Sequence, residues 1–240
     1  MRKAVVLGAS GSVGKALMVE LIRSGAFNPI VTLVRRPQRD QGAIARERGI
    51  ELRETLVPAM DPARVESATA EAIRSLEGEI AGFSVLGVGA GTAKLTIDEH
   101  RAVDVDLNAA FARGLKASGR VAHLAFMSAV GADPGAAATG SGAAGTTRYA
   151  RVKGEAEEAV KSSGVAVVSI FRPAMIIGSR HTPWLLEKTL PLFSVLTPAR
   201  YRSITVDQIA KAMVAVSRNP PTTSRVYHFP EMLALKNQPG

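Results

Sequence analysis

Residues 8–15 read GASGSVGK, directly after the apolar run AVVL and directly before ALMVELIRSG. Two kinds of phosphate-binding loop compete for this stretch. A P-loop requires G-x-x-x-x-G-K-[ST], with a hydroxyl after the lysine to hold Mg²⁺. Counting back from Gly14 and Lys15 puts Ala9 where the first glycine must stand, and Ala16 occupies the hydroxyl position. The P-loop reading therefore fails twice. The glycines fall instead at Gly8, Gly11 and Gly14. That spacing is a relative of the dinucleotide fingerprint, in which the backbone turns tightly, approaches a pyrophosphate and enters a helix whose amino end faces the anion. Ser10, Ser12 and Val13 belong to the same turn, either meeting phosphate through N–H and hydroxyl groups or capping the helix. Lys15 reads as a solvated first-turn residue.

The flanks agree with this reading. KAVVL is a buried strand candidate, and the spacing predicts a helix from Val13 to a stop at Gly25. Further along, strand-like runs fall at 3–8, 30–35, about 50–57, 83–88, 121–127 and 165–171, with helical patterns between them. Asp61 as N-cap with Pro62 after it starts one helix. Others are expected over 97–118 and 147–163, stopping at Gly119 and Gly164. Thr205 to Gln208 has the form of a capping box. Residues 225–229 form a last edge-strand candidate, and the tail after Leu235 is expected to fray. Short apolar runs alternating with helices imply an α/β fold: a doubly wound, mostly parallel sheet with helices on both faces. Ligand then lies outside the carboxyl ends of the strands.

Residues 134–147, PGAAATGSGAAGTT, carry little apolar bulk and are expected to form a mobile loop. The proline-punctuated stretch 181–202 holds the only tryptophan and is expected to cap the strand ends within a segment of about 178–205. Trp184, Leu185, Leu186, Leu192 and Phe193 are either its own core or the wall of an apolar pocket. The whole chain, 1–240, is expected to be one domain.

Composition narrows the function. The net charge of +9 could serve nucleic acid, but the arginines are scattered and aromatics are only 5% of residues, so stacking platforms are scarce. An anionic cofactor on a basic protein is the expectation, with no nucleic acid partner. Cysteine is absent, which excludes disulfides and cysteine metal sites and fits a reducing, cytoplasmic setting. The amino-terminal apolar run is short and broken by glycines, unlike a secretory signal. No run approaches the roughly 18 apolar residues of a membrane span. His100, His181 and His228 share no metal-ligand spacing, so no metal is expected. His123, among apolar residues, reads as a satisfied buried or half-buried histidine.

Two further groups bear on chemistry. An NAD-binding unit places an acid after the second strand for the ribose hydroxyls. Here VTLVRRP puts Arg35 and Arg36 there, and the nearest acid is Asp40. Arginine can make a forked contact with a 2′-phosphate, which points to NADP(H). In TTRYARVKGEAEEAV, Tyr149 and Lys153 are one helical turn apart on a shared face. A free phenol, with a pKa near 10, is a poor acid at neutral pH. A neighbouring ammonium favours phenolate. Tyr149 then serves as general acid or base at a carbonyl, Lys153 also reaches ribose hydroxyls, and Ser128 can hold the same oxygen.

Together these residues resemble the short-chain dehydrogenase/reductase superfamily over roughly 1–230. The wording is most similar to the atypical group containing the HIV Tat-interacting protein: GASGSVG, VRRP, SAVGAD, YARVKGE and FRP. The resemblance implies a Rossmann-type fold with bound NADPH. It further implies Gly87 and Gly89 in the fourth-strand turn beside the cofactor, Pro173 and Ile176 against the nicotinamide, and Ser128, Tyr149 and Lys153 as the catalytic set. The chain departs from the pattern in three places. The link between Ser128 and Tyr149 is longer. Val57 or Pro58 replaces an aspartate found near the adenine. The relay asparagine has no clean match, Asp104 falling nearest and Asn108 one turn on. The expectation is an NADP(H)-dependent oxidoreductase acting on an unidentified small molecule. The alternative is an NADPH-binding regulatory or assembly protein, with a protein partner or a second copy of itself.

Overall fold

The computed structural model describes residues 1–38, 41–178 and 198–236. Seven strands make one sheet: β1 (Arg2–Leu7), β2 (Phe27–Val34), β3 (Leu52–Leu56), β4 (Ile80–Ser84), β5 (Val121–Met127), β6 (Val167–Phe171) and, later in the chain, Arg225–Tyr227. The spatial order is β3-β2-β1-β4-β5-β6 with Arg225–Tyr227 outermost, and each neighbouring pair is parallel. A separate two-stranded ladder joins β7 (Ile176–Ile177) to β8 (Ile204–Thr205), which makes Arg225–Tyr227 β9.

The alternation within β1 shows why the strand is apolar throughout. Ala4 and Val6 enter one core cluster, while Val5 and Leu7 enter the other. The first cluster is closed by α1 (Ser12–Ser24) and α7 (Val206–Arg218). The second lies under α3 (Pro62–Arg74), α5 (Asn108–Ala117) and α6 (Thr147–Lys161). Helices therefore cover both faces, as a parallel sheet requires. The short α2 (Gly42–Glu47) precedes β3, and α8 (Phe229–Lys236) follows β9.

Local signals explain the boundaries. Gly25 ends α1 at φ 61°, in the left-handed region. The Asp61 side chain accepts from the Arg64 N–H, with Pro62 behind it. Thr205 and Gln208 form the reciprocal capping box of α7. Three expectations need correction. The fourth strand is Ile80–Ser84 rather than 83–88, and residues after Val85 turn along the site instead. The helix expected over 97–118 is α4 (Ile97–Arg101), a π-helical segment Ala102–Leu107 and then α5. The last strand stops at Tyr227, because α8 begins at Phe229.

The alanine–glycine loop is tied down rather than free along its length. Arg151 donates to the Ala136 carbonyl (2.8 Å), and Thr146 Oγ1 lies 2.6 Å from the Ser141 carbonyl oxygen. Trp184, Leu185, Leu186, Leu192 and Phe193 lie outside the described residues, as does Asp40.

Candidate functional site

The strands are added outward in one sense from β1 to β3 and in the opposite sense from β4 on, so β1 and β4 flank a switch point, which marks where a crevice opens beyond the carboxyl ends. Gly8 follows β1. Its φ is +91°, and a Cβ there would sit 2.6 Å from the Leu86 nitrogen. A Cβ on Gly14 would collide with the Gly8 carbonyl oxygen and with Ala9. These two glycines thus let the turn pack against the end of β4 and let α1 pack against the turn. Gly11 differs, for a Cβ there meets only the Gly8 oxygen at 3.5 Å, an ordinary contact. Ser10 and Gly11 are exposed, Ser12 is half-buried, and Val13 and Gly14 are buried. The first turn of α1 has no acid, and its N-cap, Gly11, supplies no side-chain cap. A pyrophosphate fits such an amino end on geometry and on charge.

After β4 comes the second half of the crevice. Gly87 lies against a buried ion pair: a Cβ there would be 3.3 Å from both Asp104 Oδ2 and Lys153 Nζ. Gly89, at φ +70°, opens a 3₁₀ segment, Gly89–Lys94. Lys153 of α6 approaches Asp104 Oδ2 at 2.6 Å, with 7% and 1% of the two side chains exposed. Oδ2 nevertheless has no aligned hydrogen bond. Oδ1 accepts from the Val88 N–H at 2.9 Å. His100 of α4 is completely buried, its Nε2 3.4 Å from Asp104 Oδ2. Its ring stacks on Tyr149 at 5.7 Å between centroids. Lys153 Nζ is likewise 5.7 Å from the centre of the Tyr149 ring.

Burial opposes the Asp104 charge, but Lys153, with His100 beside it, holds the carboxyl well below the usual carboxylate range. Burial likewise opposes the Lys153 charge, and Asp104, with Tyr149 and Glu157, raises the ammonium above the usual lysine range. The pair is therefore ionised across the working pH range.

The π-helical turn is what delivers Asp104 to this place. A π segment inserts an extra residue into the helical register and re-aims the side chains on it, a device common at functional sites. One turn on, Asn108 is absorbed by structure: Oδ1 accepts from the Ser84 hydroxyl, and Nδ2 donates to the Asp104 carbonyl at 2.8 Å.

Ser128 follows β5 and is 3% exposed. Its N–H donates to the Phe171 carbonyl (2.8 Å), while its hydroxyl has no partner. A buried hydroxyl left unpaired costs about 1–3 kcal/mol, a reason to expect a bound group at Oγ. Pro173 is buried just past β6 and its carbonyl accepts from the Val130 N–H, 2.9 Å, and Ile176 is half-buried in β7. Arg35 and Arg36 are exposed after β2, apart from the cluster around Lys153.

Three residues that the sequence reading did not single out hold the site together. Arg172 donates to both oxygens of Glu157, at 2.8 and 2.6 Å, tying the segment after β6 to α6. That hydrogen bonding raises the arginine further above its ordinary range. Gly154 lets α6 touch the Asp133–Pro134 backbone, which any Cβ would strike. The detectable signals were Arg172 in FRP and Gly154 in KGE, motifs in which only Pro173 and Lys153 had a stated use.

At the opposite, amino end of the strands a groove of about 530 Å³ is lined by Arg2, Glu79 and Arg218 among others. Its main charge is already satisfied, because Arg2 pairs with Glu79 at 2.7 Å and donates to the carbonyls of Ser217 and Arg218. His123, nearby in β5, shares a 2.9 Å hydrogen bond with Ser169 through Nε2, but its Nδ1 has no partner, so it is only half satisfied. Among the described residues no group of three His, Asp or Glu side chains is arranged to hold a metal. No described helix is long and apolar enough to cross a membrane.

Comparison with known proteins agrees with this fold. Protein FMP52, mitochondrial, from Eremothecium gossypii is 28% identical over 183 residues, 75% of this chain and 68% of that one. A short-chain dehydrogenase/reductase from Serratia marcescens has the same fold at a TM-score of 0.66 and 15% identity, covering 96% of this chain and 98% of that one. MoeE5, solved with UDP-glucuronic acid and NAD, superposes at 0.67 with 18% identity, over 95% of this chain and 76% of that one. The sequence profile described as NAD(P)H-binding matches residues 8–220, and the chain belongs to that NAD(P)H-binding family, with a Rossmann-type fold like that of short-chain dehydrogenases and epimerases.

Proposed function

We propose that the protein is an NADP(H)-dependent oxidoreductase of the short-chain dehydrogenase/reductase type, acting between a carbonyl and a hydroxyl. The observation that carries this reading is the placement of Lys153, which lies beside the Tyr149 ring and against Gly87 in the turn after β4. A bound nicotinamide supplies or accepts the hydride. Gly8, Ser10, Gly11, Ser12, Val13 and Gly14 seat the pyrophosphate, and Gly87 and Gly89 pass beside the cofactor. Pro173 and Ile176 back the nicotinamide. Tyr149 donates a proton to the substrate oxygen in reduction and takes it back in oxidation. Lys153 stabilises the phenolate and orients the ribose, and Ser128 Oγ holds the substrate oxygen.

Arg35 and Arg36 are assigned to a 2′-phosphate, which makes NADP(H) the cofactor in preference to NAD(H). In this reading the chain is one domain, capped by about 178–205, works in the cytoplasm on a small molecule, and does not bind nucleic acid. In this reading it is also a member of the Tat-interacting-like atypical group, on the likeness of its motifs. A non-catalytic NADPH-binding role, with a protein partner or as a homodimer, is the second reading. It is favoured by one feature: the relay asparagine has no clean match, and the residue falling nearest, Asp104, is an aspartate paired with Lys153.

A carbonyl-substrate screen with NADPH and NADH, run on the protein and on Tyr149→Phe, separates the two. The oxidoreductase reading expects turnover that drops about 10²–10⁴-fold in the variant, with NADPH still bound. Equal turnover in both proteins rejects the role of Tyr149. Saturable NADPH binding without turnover supports the second reading. Replacing Arg35 and Arg36 with glutamate is expected to weaken NADPH binding at least tenfold relative to NADH.

A further inference from the structure

The relay asparagine has no clean match in this chain, yet Asp104, the residue falling nearest, is not idle. The π-helical segment turns a carboxylate into the site, where it is 1% exposed and in contact with three elements. Oδ1 accepts from the Val88 N–H in the turn after β4. Oδ2 lies 2.6 Å from Lys153 Nζ on α6 and 3.4 Å from His100 Nε2 on α4. His100 in turn stacks on the Tyr149 ring.

We propose that Asp104 is a positioning residue that fixes the Lys153 ammonium and offsets its charge, and so sets the pH at which Tyr149 changes protonation state. This rests on the reading of Tyr149 as the proton-transferring group.

The electrostatics follow from proximity. An ammonium alone beside a phenol favours phenolate, whereas an ammonium neutralised by a carboxylate at 2.6 Å favours it far less. Asp104 therefore keeps Tyr149 in the phenol form to higher pH, the form that donates a proton when a carbonyl is reduced. The charged and titratable groups facing this centre are His100 from α4, Asp104 from the π segment, and Tyr149, Lys153 and Glu157 from α6. Glu157 is itself neutralised by Arg172 from the segment after β6. Removing Asp104 thus leaves Lys153 as the uncompensated charge next to Tyr149.

The test is an ultraviolet phenolate titration of the purified, cofactor-free protein. The chain has three tyrosines, so the Tyr149 signal is the difference from Tyr149→Phe. Asp104→Asn keeps the size of the side chain and an acceptor for the Val88 N–H. It is expected to bring phenolate onset down by about one pH unit or more, with Asp104→Glu returning toward the wild-type value. Should the asparagine variant fail to fold, Asp104→Ser serves as the neutral variant. An unchanged or raised onset in the neutral variant overturns the proposal. With a substrate in hand, the pH profile of kcat is expected to move in the same direction. A protein without any turnover would defeat the proposed activity, whereas the phenolate titration would still decide the role of Asp104.

Discussion

Helix α6 carries two buried ion pairs a turn apart, and they are built to opposite standards. Glu157 and Arg172 meet through two aligned bonds of 2.8 and 2.6 Å, with the carboxylate 2% exposed. Lys153 and Asp104 meet at 2.6 Å without alignment. Around the second pair, both ring nitrogens of His100 lack a hydrogen bond, and Ser128 Oγ at the end of β5 is likewise unpaired. The first pair spends its bonding capacity on holding β6 against α6. The second keeps capacity in reserve at a place where ribose hydroxyls and a substrate oxygen are expected to arrive. Buried polar groups are normally satisfied, so the unpaired atoms of His100, Asp104 and Ser128 are places where a bound molecule can supply the missing partner.

Breaking each pair should expose that difference. Lys153→Met leaves Asp104 buried without its partner and is expected to lower stability by about 3–5 kcal/mol at neutral pH. The deficit should shrink toward pH 4. In the wild type, the depressed Asp104 carboxyl contributes stability that is complete above the unfolded value of about 3.9 and is lost only as pH falls through its lower folded value. In the variant, burial raises the carboxyl instead, so the charge costs stability only above that unfolded value. Denaturant melts at pH 4 and pH 7 check this, and an equal deficit at both would assign the loss to packing alone.

His123 gives a comparison from the amino edge. Burial first, and then the charge of Arg2, push the imidazole down from 6.5 to about 4. The unfolded chain binds a proton there that the folded chain refuses. Stability should therefore fall as pH drops from 6.5 to 4, by up to about 3 kcal/mol, and His123→Gln should remove that slope. Smaller still is Arg172→Ala. Because the guanidinium is partly exposed, a loss of about 1–3 kcal/mol is expected, read from denaturant melts.

Much of this was legible in the residues. The glycine spacing, the caps at Asp61 and Thr205, and the apolar runs predicted the sheet and both helical layers, because each is a short-range signal with a local cause. Tyr149 and Lys153 were legible because one helical turn is a fixed distance. Asp104 was visible only as a mismatch to a family pattern. Its position depends on a π turn, and no residue type in AVDVDL announces an extra residue in the helical register. Gly154 and Arg172 were hidden for a related reason: their partners, Pro134 and Glu157, are long-range contacts that a linear reading cannot pair. The fourth strand ends earlier than its apolar run because Val85 and Leu86 are apolar for another purpose: beyond the strand, Val85 packs into one core cluster and Leu86 against the other.

The central claim is that the glycine turn after β1 seats the pyrophosphate of NADPH. Titration of the purified protein with NADPH, beside Gly11→Ala, tests it most directly. A Cβ at Gly11 meets nothing closer than 3.5 Å, so the variant is expected to fold within about 0.5 kcal/mol of the wild type while binding NADPH at least tenfold more weakly. Saturable binding by the wild type with that loss in the variant is the predicted result; a wild-type protein that ignores both NADPH and NADH would contradict the account.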